Sequence, residues 1–347
     1  MFIRKVQFVQ SLKRIGAVAL LTVLMMGSGV RTMAQVDQTK TPEGQLITLR
    51  NALEKAQTDA EKKKLLKEIG QTGTFIGLTT VAPYMKEKAL KKVAAQAVAE
   101  IALSHKEYNG TNTRNWLGEA MGILGGKQRK AILDYLQNMP SEERGFVSIF
   151  NGKDLSGWKG LVENPITRAK MSHEELAAKQ VKADEIMNRD WKVQDGMIVY
   201  VGHSFENLCT VRPYGNFEMY VDWKLDPSGK EPDAGIYLRG TPQVQIWDIK
   251  RVNVGAQVGS GGLYNNQKNP SKPTQVADNK LGEWNSFYIK MVGDRVTVKL
   301  NGVLVVDNVI LENYWDRKQA IFPVEQIDLQ AHGSLTYFRD IYVRDIR

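Results

Sequence analysis

Between residues 58 and 139 the apolar positions recur with a helical period. Leu65, Leu66 and Ile69 fall on one face of residues 60–69. Ala89, Leu90, Val93, Ala97 and Ile101 form a stripe along residues 86–103, close to the period of about 3.6 expected of an amphipathic helix. Pro83 breaks the chain between two helical stretches, because proline donates no hydrogen bond to the helix ladder. Residues 115–124 and 127–139 read as a further helical pair around Gly125-Gly126. A small helical domain is therefore expected over 58–140, preceded by a flexible segment at 35–57.

Residues 140–145, Pro-Ser-Glu-Glu-Arg-Gly, read as a linker, and beyond them the period drops to two. Phe217, Met219, Val221, Trp223 and Leu225 face one way; Glu218, Tyr220, Asp222 and Lys224 face the other. Asp195-Gly196, Gly293-Asp294 and Asn301-Gly302 join apolar runs as two-residue hairpin turns do. One helix interrupts the series, from a Ser172 cap to about residue 188. Repeated short strands with turn signals predict a mainly β, antiparallel sandwich or jelly roll over 145–347, behind the small α-helical domain.

The first 34 residues have a different pattern. Arg4, Lys5, Lys13 and Arg14 precede an apolar run at 15–26, and Thr32-Met33-Ala34 follows with small residues. That is the charge, core and cleavage order of a secretory signal, and the run is too short to span a bilayer. The expectation is an exported protein, periplasmic or secreted, with no membrane span after cleavage. The leader also changes the charge picture. The formal charge of +9 falls to +4 once its five basic residues are removed, since it contains no Asp or Glu. That is too little to indicate a nucleic-acid partner, and no basic run has interleaved aromatics. Lys62-Lys63-Lys64 reads as the wet face of a helix.

Candidate chemistry narrows by elimination. Cys209, the sole cysteine, sits in an apolar strand and reads as a core residue. His105, His173, His203 and His332 are dispersed, without metal-ligand spacing. No metal or cofactor is expected. Gly259-Ser260-Gly261-Gly262 lacks the Lys and following helix of a phosphate loop and reads as a flexible loop near a ligand. What remains is a polar face on alternating strands: Gln243, Gln245 and Trp247; Gly235, Tyr237 and Arg239; Asp328, Gln330 and His332. Amides satisfy hydroxyls as donor and acceptor, and flat aromatics pack against ring C–H faces, so this pattern suits a sugar. A double-displacement glycosidase needs two carboxylates flanking the scissile bond, whereas the strand at 243–247 offers amides, with Asp248 at its end.

Several ordered motifs carry a resemblance. Phe150-Asn151-Gly152-Lys153-Asp154-Leu155-Ser156-Gly157-Trp158, Ala234-Gly235-Ile236-Tyr237-Leu238-Arg239-Gly240, Val244-Gln245-Ile246-Trp247-Asp248, Gly282-Glu283-Trp284-Asn285 and Leu329-Gln330-Ala331-His332-Gly333 follow one another as in the 3-keto-disaccharide hydrolase domain family, which this region resembles. Two departures are Asp233-Ala234-Gly235, where the family usually has Asn-Ser-Gly, and Gln243, where it often has Glu. Residues 73–98 resemble a HEAT-like helical repeat, which would give the helical domain a protein partner.

The resemblance implies a concanavalin-A-like jelly roll and a glycoside substrate oxidised to a ketone at carbon 3. Such a ketone acidifies the neighbouring C–H, so one base, a clamp for the enolate oxygen and a proton donor would suffice. On this view Asp222 is the candidate base, His332 the acid/base and Arg239 the clamp. Tyr237, Gln243, Gln245, Trp247, Asp248 and Gln330 would bind the substrate. A non-catalytic sugar-binding module and a scaffold built on the helices are the competing readings.

Overall fold

In the computed structural model, which describes residues 36–202 and 204–346, the change of period near residue 145 is also a change of architecture. The leader at 1–34 and His203 lie outside the described residues. Six helices come first: α1 (Pro42–Lys55), α2 (Asp59–Gln71), α3 (Phe75–Val81), α4 (Lys91–Ser104), α5 (Thr111–Ile123) and α6 (Gly126–Asn138). Threonines start three of them. Thr41 and Thr74 accept from the backbone N–H groups of Gly44 and Gly77, and Thr58 forms a reciprocal capping box with Glu61. Pro83 lies in a short 3-10 turn, Ala82–Lys86, between α3 and α4.

The segment 35–57 is not a flexible leader-in, because it holds α1. Its inward positions are Leu46, Ile47, Arg50 and Leu53, all buried. The arginine breaks the apolar stripe on paper, yet its guanidinium is sequestered with the rest. It donates to Asp222 Oδ2 at 2.6 Å and to Asp340 on the sheet behind it.

That sheet orders β11 (Val303–Ile310), β10 (Arg295–Leu300), β9 (Asn285–Val292), β6 (Phe217–Leu225), β13 (Thr336–Asp345), β4 (Met197–Tyr200) and β3 (Trp191–Gln194), with β1 (Val147–Ser148) paired to β13. A second, smaller sheet orders β2 (Trp158–Gly160), β5 (Leu208–Thr210), β12 (Asp328–Leu329), β7 (Asp233–Leu238) and β8 (Thr241–Trp247). The pairings are antiparallel. Phe217, Met219, Val221 and Trp223 of the larger sheet meet Ile236, Leu238, Val244 and Ile246 of the smaller in one apolar core. This is the expected jelly-roll sandwich. Two further helices lie in the long connection after β2: α7 (Pro165–Arg168) and α8 (His173–Asp190), the latter capped by Ser172. α8 docks on β2 at Gly160, where a Cβ would come within 2.2 Å of the Ala183 carbonyl oxygen.

The outer face of the larger sheet is covered by the helices. Phe75 of α3 stacks on Tyr220 at 5.4 Å and meets Tyr342 edge-on at 5.3 Å. A bulge in β13, with Asp340 at a φ of 52°, places Arg339 opposite Asp222 and turns Asp340 toward Arg50. Helices, larger sheet and smaller sheet thus form three layers. Among the described residues, the smaller sheet keeps an outer face free of α1–α6.

Removing one partner of a buried ion pair leaves an uncompensated charge, which costs about 3–5 kcal/mol. Arg50→Ala is therefore expected to lower the unfolding free energy by about that amount in urea denaturation. A loss within measurement error would show that α1 is not held by this cluster.

Candidate functional site

The β7–β8 hairpin forms the floor of a groove on the outer face of the smaller sheet. Its cavity is about 500 Å³, within the usual range for a small-molecule site. Alternation sends Ala234, Ile236 and Leu238 into the core and Asp233, Gly235 and Tyr237 outward. From β8, Gln243, Gln245 and Trp247 line the same groove. Gly235 is required by close packing: a Cβ there would lie 2.8 Å from Gln330 Oε1 and 3.1 Å from the Gln243 carboxamide carbon.

A chain of polar contacts runs along this floor. Gln243 donates to the Gln245 carboxamide oxygen, and Gln245 donates to Asp233 Oδ1 at 2.6 Å. Arg251 donates to Asp233 Oδ2 at 3.2 Å and lies 3.6 Å from Glu231. His332 presents Nδ1 to the same Asp233 oxygen at 3.9 Å, and this buried nitrogen has no hydrogen-bond partner. Phe205 packs edge-on against the imidazole at 5.5 Å. Burial pushes the Asp233 carboxyl above the usual carboxylate range, while His332, Gln245 and Arg251 pull it back down.

Six of the nine expected residues therefore share the groove: Tyr237, Gln243, Gln245, Trp247, Gln330 and His332. The other three do not. Asp222 lies on the larger sheet, 1% exposed and tied to Arg50 beneath the helices, so it is a structural anion and not a base in this groove. Arg239 does not continue the alternation, because the chain turns there. Arg239 and Gly240 have φ values of 49° and 67°, as a two-residue hairpin turn requires, and the guanidinium donates to the carbonyls of Pro323 and Gly293. Asp248 has the opposite parity to Trp247. It faces a separate small cleft beside Trp223 and accepts from the Lys250 backbone N–H.

Asp233 and Arg251 were missed by the sequence reading. Asp233 was legible, since one more step of the alternation through Tyr237 and Gly235 reaches it. Arg251 comes from an irregular segment after β8, which has no period to read. The carboxylate pair absent from β8 has a counterpart in Glu231 and Asp233, which both line the groove. One guanidinium bridges them from a single side, which is not the arrangement of two carboxyls flanking a bond.

Two buried groups lie on β12, next to β7, and on β5 beyond it. Asp328 pairs across the sheet with Tyr237 on one side and Cys209 on the other, and neither of its oxygens has a hydrogen-bond partner. Burial raises its carboxyl well above the usual range. Burial likewise raises the Cys209 thiol, so it stays a neutral core group. Among the described residues no cluster of three or more His, Cys, Asp or Glu is placed to hold a metal ion, and no helix is long and apolar enough to cross a membrane.

A carboxyl whose folded pKa exceeds its unfolded value favours the folded state fully below the unfolded value, and that contribution is lost as pH rises through the folded one. Asp328→Asn should therefore raise the melting temperature at pH 8, with the gain shrinking toward pH 4. Equal shifts at both pH values would contradict a neutral Asp328.

A groove of amides, aromatics and one acid–imidazole pair on a jelly-roll sheet, in a chain of the family that its residues 145–344 match, defines a carbohydrate-active domain. Residues 145–344 match the family described as the 3-keto-alpha-glucoside-1,2-lyase-like domain, and the chain belongs to that family. None of the curated proteins matches the chain. Among solved structures, two proposed glycosyl hydrolases from Parabacteroides distasonis are similar to it. One is 22% identical, covering 58% of this chain and all of its own, with a TM-score of 0.41. The other is 20% identical, covering 58% of this chain and 95% of its own, with a TM-score of 0.39. A Bacillus licheniformis β-glucanase is 9% identical over 60% of this chain and its own full length, with a TM-score of 0.32.

Proposed function

We propose that the sandwich domain is an enzyme that cleaves 3-keto-glycosides by elimination. The observation that carries this reading is the Asp233–His332 pair at one end of a groove otherwise lined by amides and aromatic rings. Once a turn of the imidazole closes the 3.9 Å gap, Asp233, anchored by Gln245 and Arg251, would orient the ring through Nδ1. The opposite ring nitrogen then takes the proton from carbon 2 of the oxidised sugar. Electrons of that C–H bond pass into the ketone, giving an enolate whose oxygen the Arg251 guanidinium stabilises. As the enolate collapses, the bond from carbon 1 to the leaving oxygen breaks, and His332 returns the proton to that oxygen. Adding water across the new double bond gives net hydrolysis. Arg251 thus takes the clamp role expected of Arg239, and Asp233 replaces Asp222.

A second reading, a non-catalytic sugar-binding module, is favoured by the Gln243–Gln245 amide pair, which binds hydroxyls and transfers no protons. Export belongs to the same proposal, since the oxidised sugar must then arise in or reach the compartment outside the cytoplasm. So does a protein partner for the HEAT-like helical layer, which lies on the side away from the groove.

Incubating the purified chain with a 3-keto-disaccharide and following products by mass spectrometry separates the two readings. The enzyme releases the second sugar; the binding module leaves the disaccharide intact. His332→Ala and Asp233→Asn should each lower kcat/KM by about 100-fold or more, in the range general acid–base groups contribute. Full activity in both variants would sink this assignment.

A further inference from the structure

The helical layer and α8 each present an open face. On α4, residues 93, 96, 97, 100, 103 and 104 recur at the three- and four-residue steps of one helix stripe. With Lys67 of α2 and Lys127 of α6 they line a furrow of about 730 Å³. Val93, Ala97 and Leu103 make its floor apolar. Lys64 and Lys130 nearby are paired within their own helices, with Glu68 and Asp134. Lys67, Glu100 and Lys127 are exposed, and among the described residues they have no ion-pair partner.

The second face is the outward stripe of α8. Because that helix packs on β2, its residues Glu174, Ala178, Val181 and Glu185 face solvent together, with Ala177 and Lys182 beside them. Val181 is 60% exposed. The inward charges of α8 are engaged. Asp184 accepts from the Gly160 N–H at 2.9 Å, and Lys179 pairs with Glu163 and Glu175. Glu174, Lys182 and Glu185 have no ion-pair partner among the described residues. The interval from Glu174 to Glu185 equals that from Val93 to Ser104, about 16 Å of helix at about 1.5 Å per residue.

We propose that α8 of one copy of this chain docks in the α2–α4–α6 furrow of another. The signs match one for one. The furrow offers two cations and one anion, Lys67, Lys127 and Glu100; the stripe offers two anions and one cation, Glu174, Glu185 and Lys182. Ala177, Ala178 and Val181 are small, so the helix can approach the apolar floor closely, and docking removes Val181 from water. Geometry fixes the kind of assembly. The helical layer covers the larger sheet, whereas α8 lies on β2 of the smaller one, so a chain does not fill its own furrow and the contact is not self-complementary. Each copy carries both halves, and repetition joins copies head to tail. None of these residues lines the groove of Asp233 and His332, so assembly is separable from cleavage by mutation. The proposal rests on the reading of the helical layer as a partner surface and names a second copy as that partner.

The test is sedimentation velocity of the purified chain over a concentration series. The wild type should sediment faster as concentration rises, and less so at high salt, which screens the charge pairs. A furrow variant, Lys67→Glu with Lys127→Glu, and an α8 variant, Glu174→Lys with Glu185→Lys, alter exposed side chains only, so both should keep the wild-type melting curve. Each should raise the dissociation constant by about tenfold or more, as reversed charges across an interface do. An equimolar mixture of the two should regain association, because the intact α8 of one meets the intact furrow of the other. A wild type that stays monomeric at every concentration overturns the proposal, as does association that neither variant weakens. Association lost in the furrow variant but kept in the α8 variant overturns α8 as the occupant and leaves the furrow standing as a partner surface. Loss in both variants that the mixture does not restore overturns the head-to-tail contact.

Discussion

The antiparallel hairpin of β7 and β8 must place alternate side chains on opposite faces, and both the core and the groove depend on that constraint. Ala234, Ile236, Val244 and Ile246 fill the sandwich while Asp233, Gly235, Gln243 and Gln245 are directed outward by the same pleat. A one-residue slip would exchange the two sets, driving a carboxylate and two amides into the core. Register is therefore enforced by the apolar face, and the polar face inherits its order at no further cost. The turn that closes the hairpin adds the limit of the pattern. Its positive φ values at Arg239 and Gly240 take the arginine out of the alternation and leave it bracing neighbouring loops.

On the far side of the molecule a different physics operates. The outer face of the larger sheet carries Asp222, Glu218 and several tyrosines, which read as a solvent face. The helical layer makes it an interior. Burial of this kind requires compensating charge, which α1 supplies through Arg50, and the β13 bulge supplies Asp340 as a second anion. The helices thus stabilise the back of the sandwich without reaching the grooved face. The covered face and the groove are separated by the thickness of the core.

The strands and most helices were legible because each has a period, a cap or a turn signature. α1 was not, because the residue that should have completed its stripe is an arginine whose partners lie 172 and 290 positions away. The same non-locality misplaced Asp222: alternation showed that it faces away from the core, but not that a helical layer covers that side. Asp248 illustrates an error of the opposite kind, since its parity alone excludes it from the face of Gln245 and Trp247. Arg251, Tyr314 and Trp315 come from irregular segments, where position depends on side-chain hydrogen bonds such as those of Glu312 and Asn313. Neither period nor composition reports those contacts.

The groove combines saturated and unsaturated groups in a definite order. Gln245 and Arg251 satisfy both oxygens of Asp233, so the carboxyl is fixed in place although burial opposes its charge. His332 Nδ1 and Gln330 Oε1 are buried without partners, a state that costs free energy until something completes it. A rotation of the imidazole that closes the 3.9 Å separation to Asp233 would satisfy Nδ1 and turn the opposite nitrogen toward the groove. A sugar hydroxyl donating to Gln330 would satisfy the second group. Binding would then complete two hydrogen bonds that folding left open, since Gln330 Oε1 and His332 Nδ1 belong to residues that line the groove.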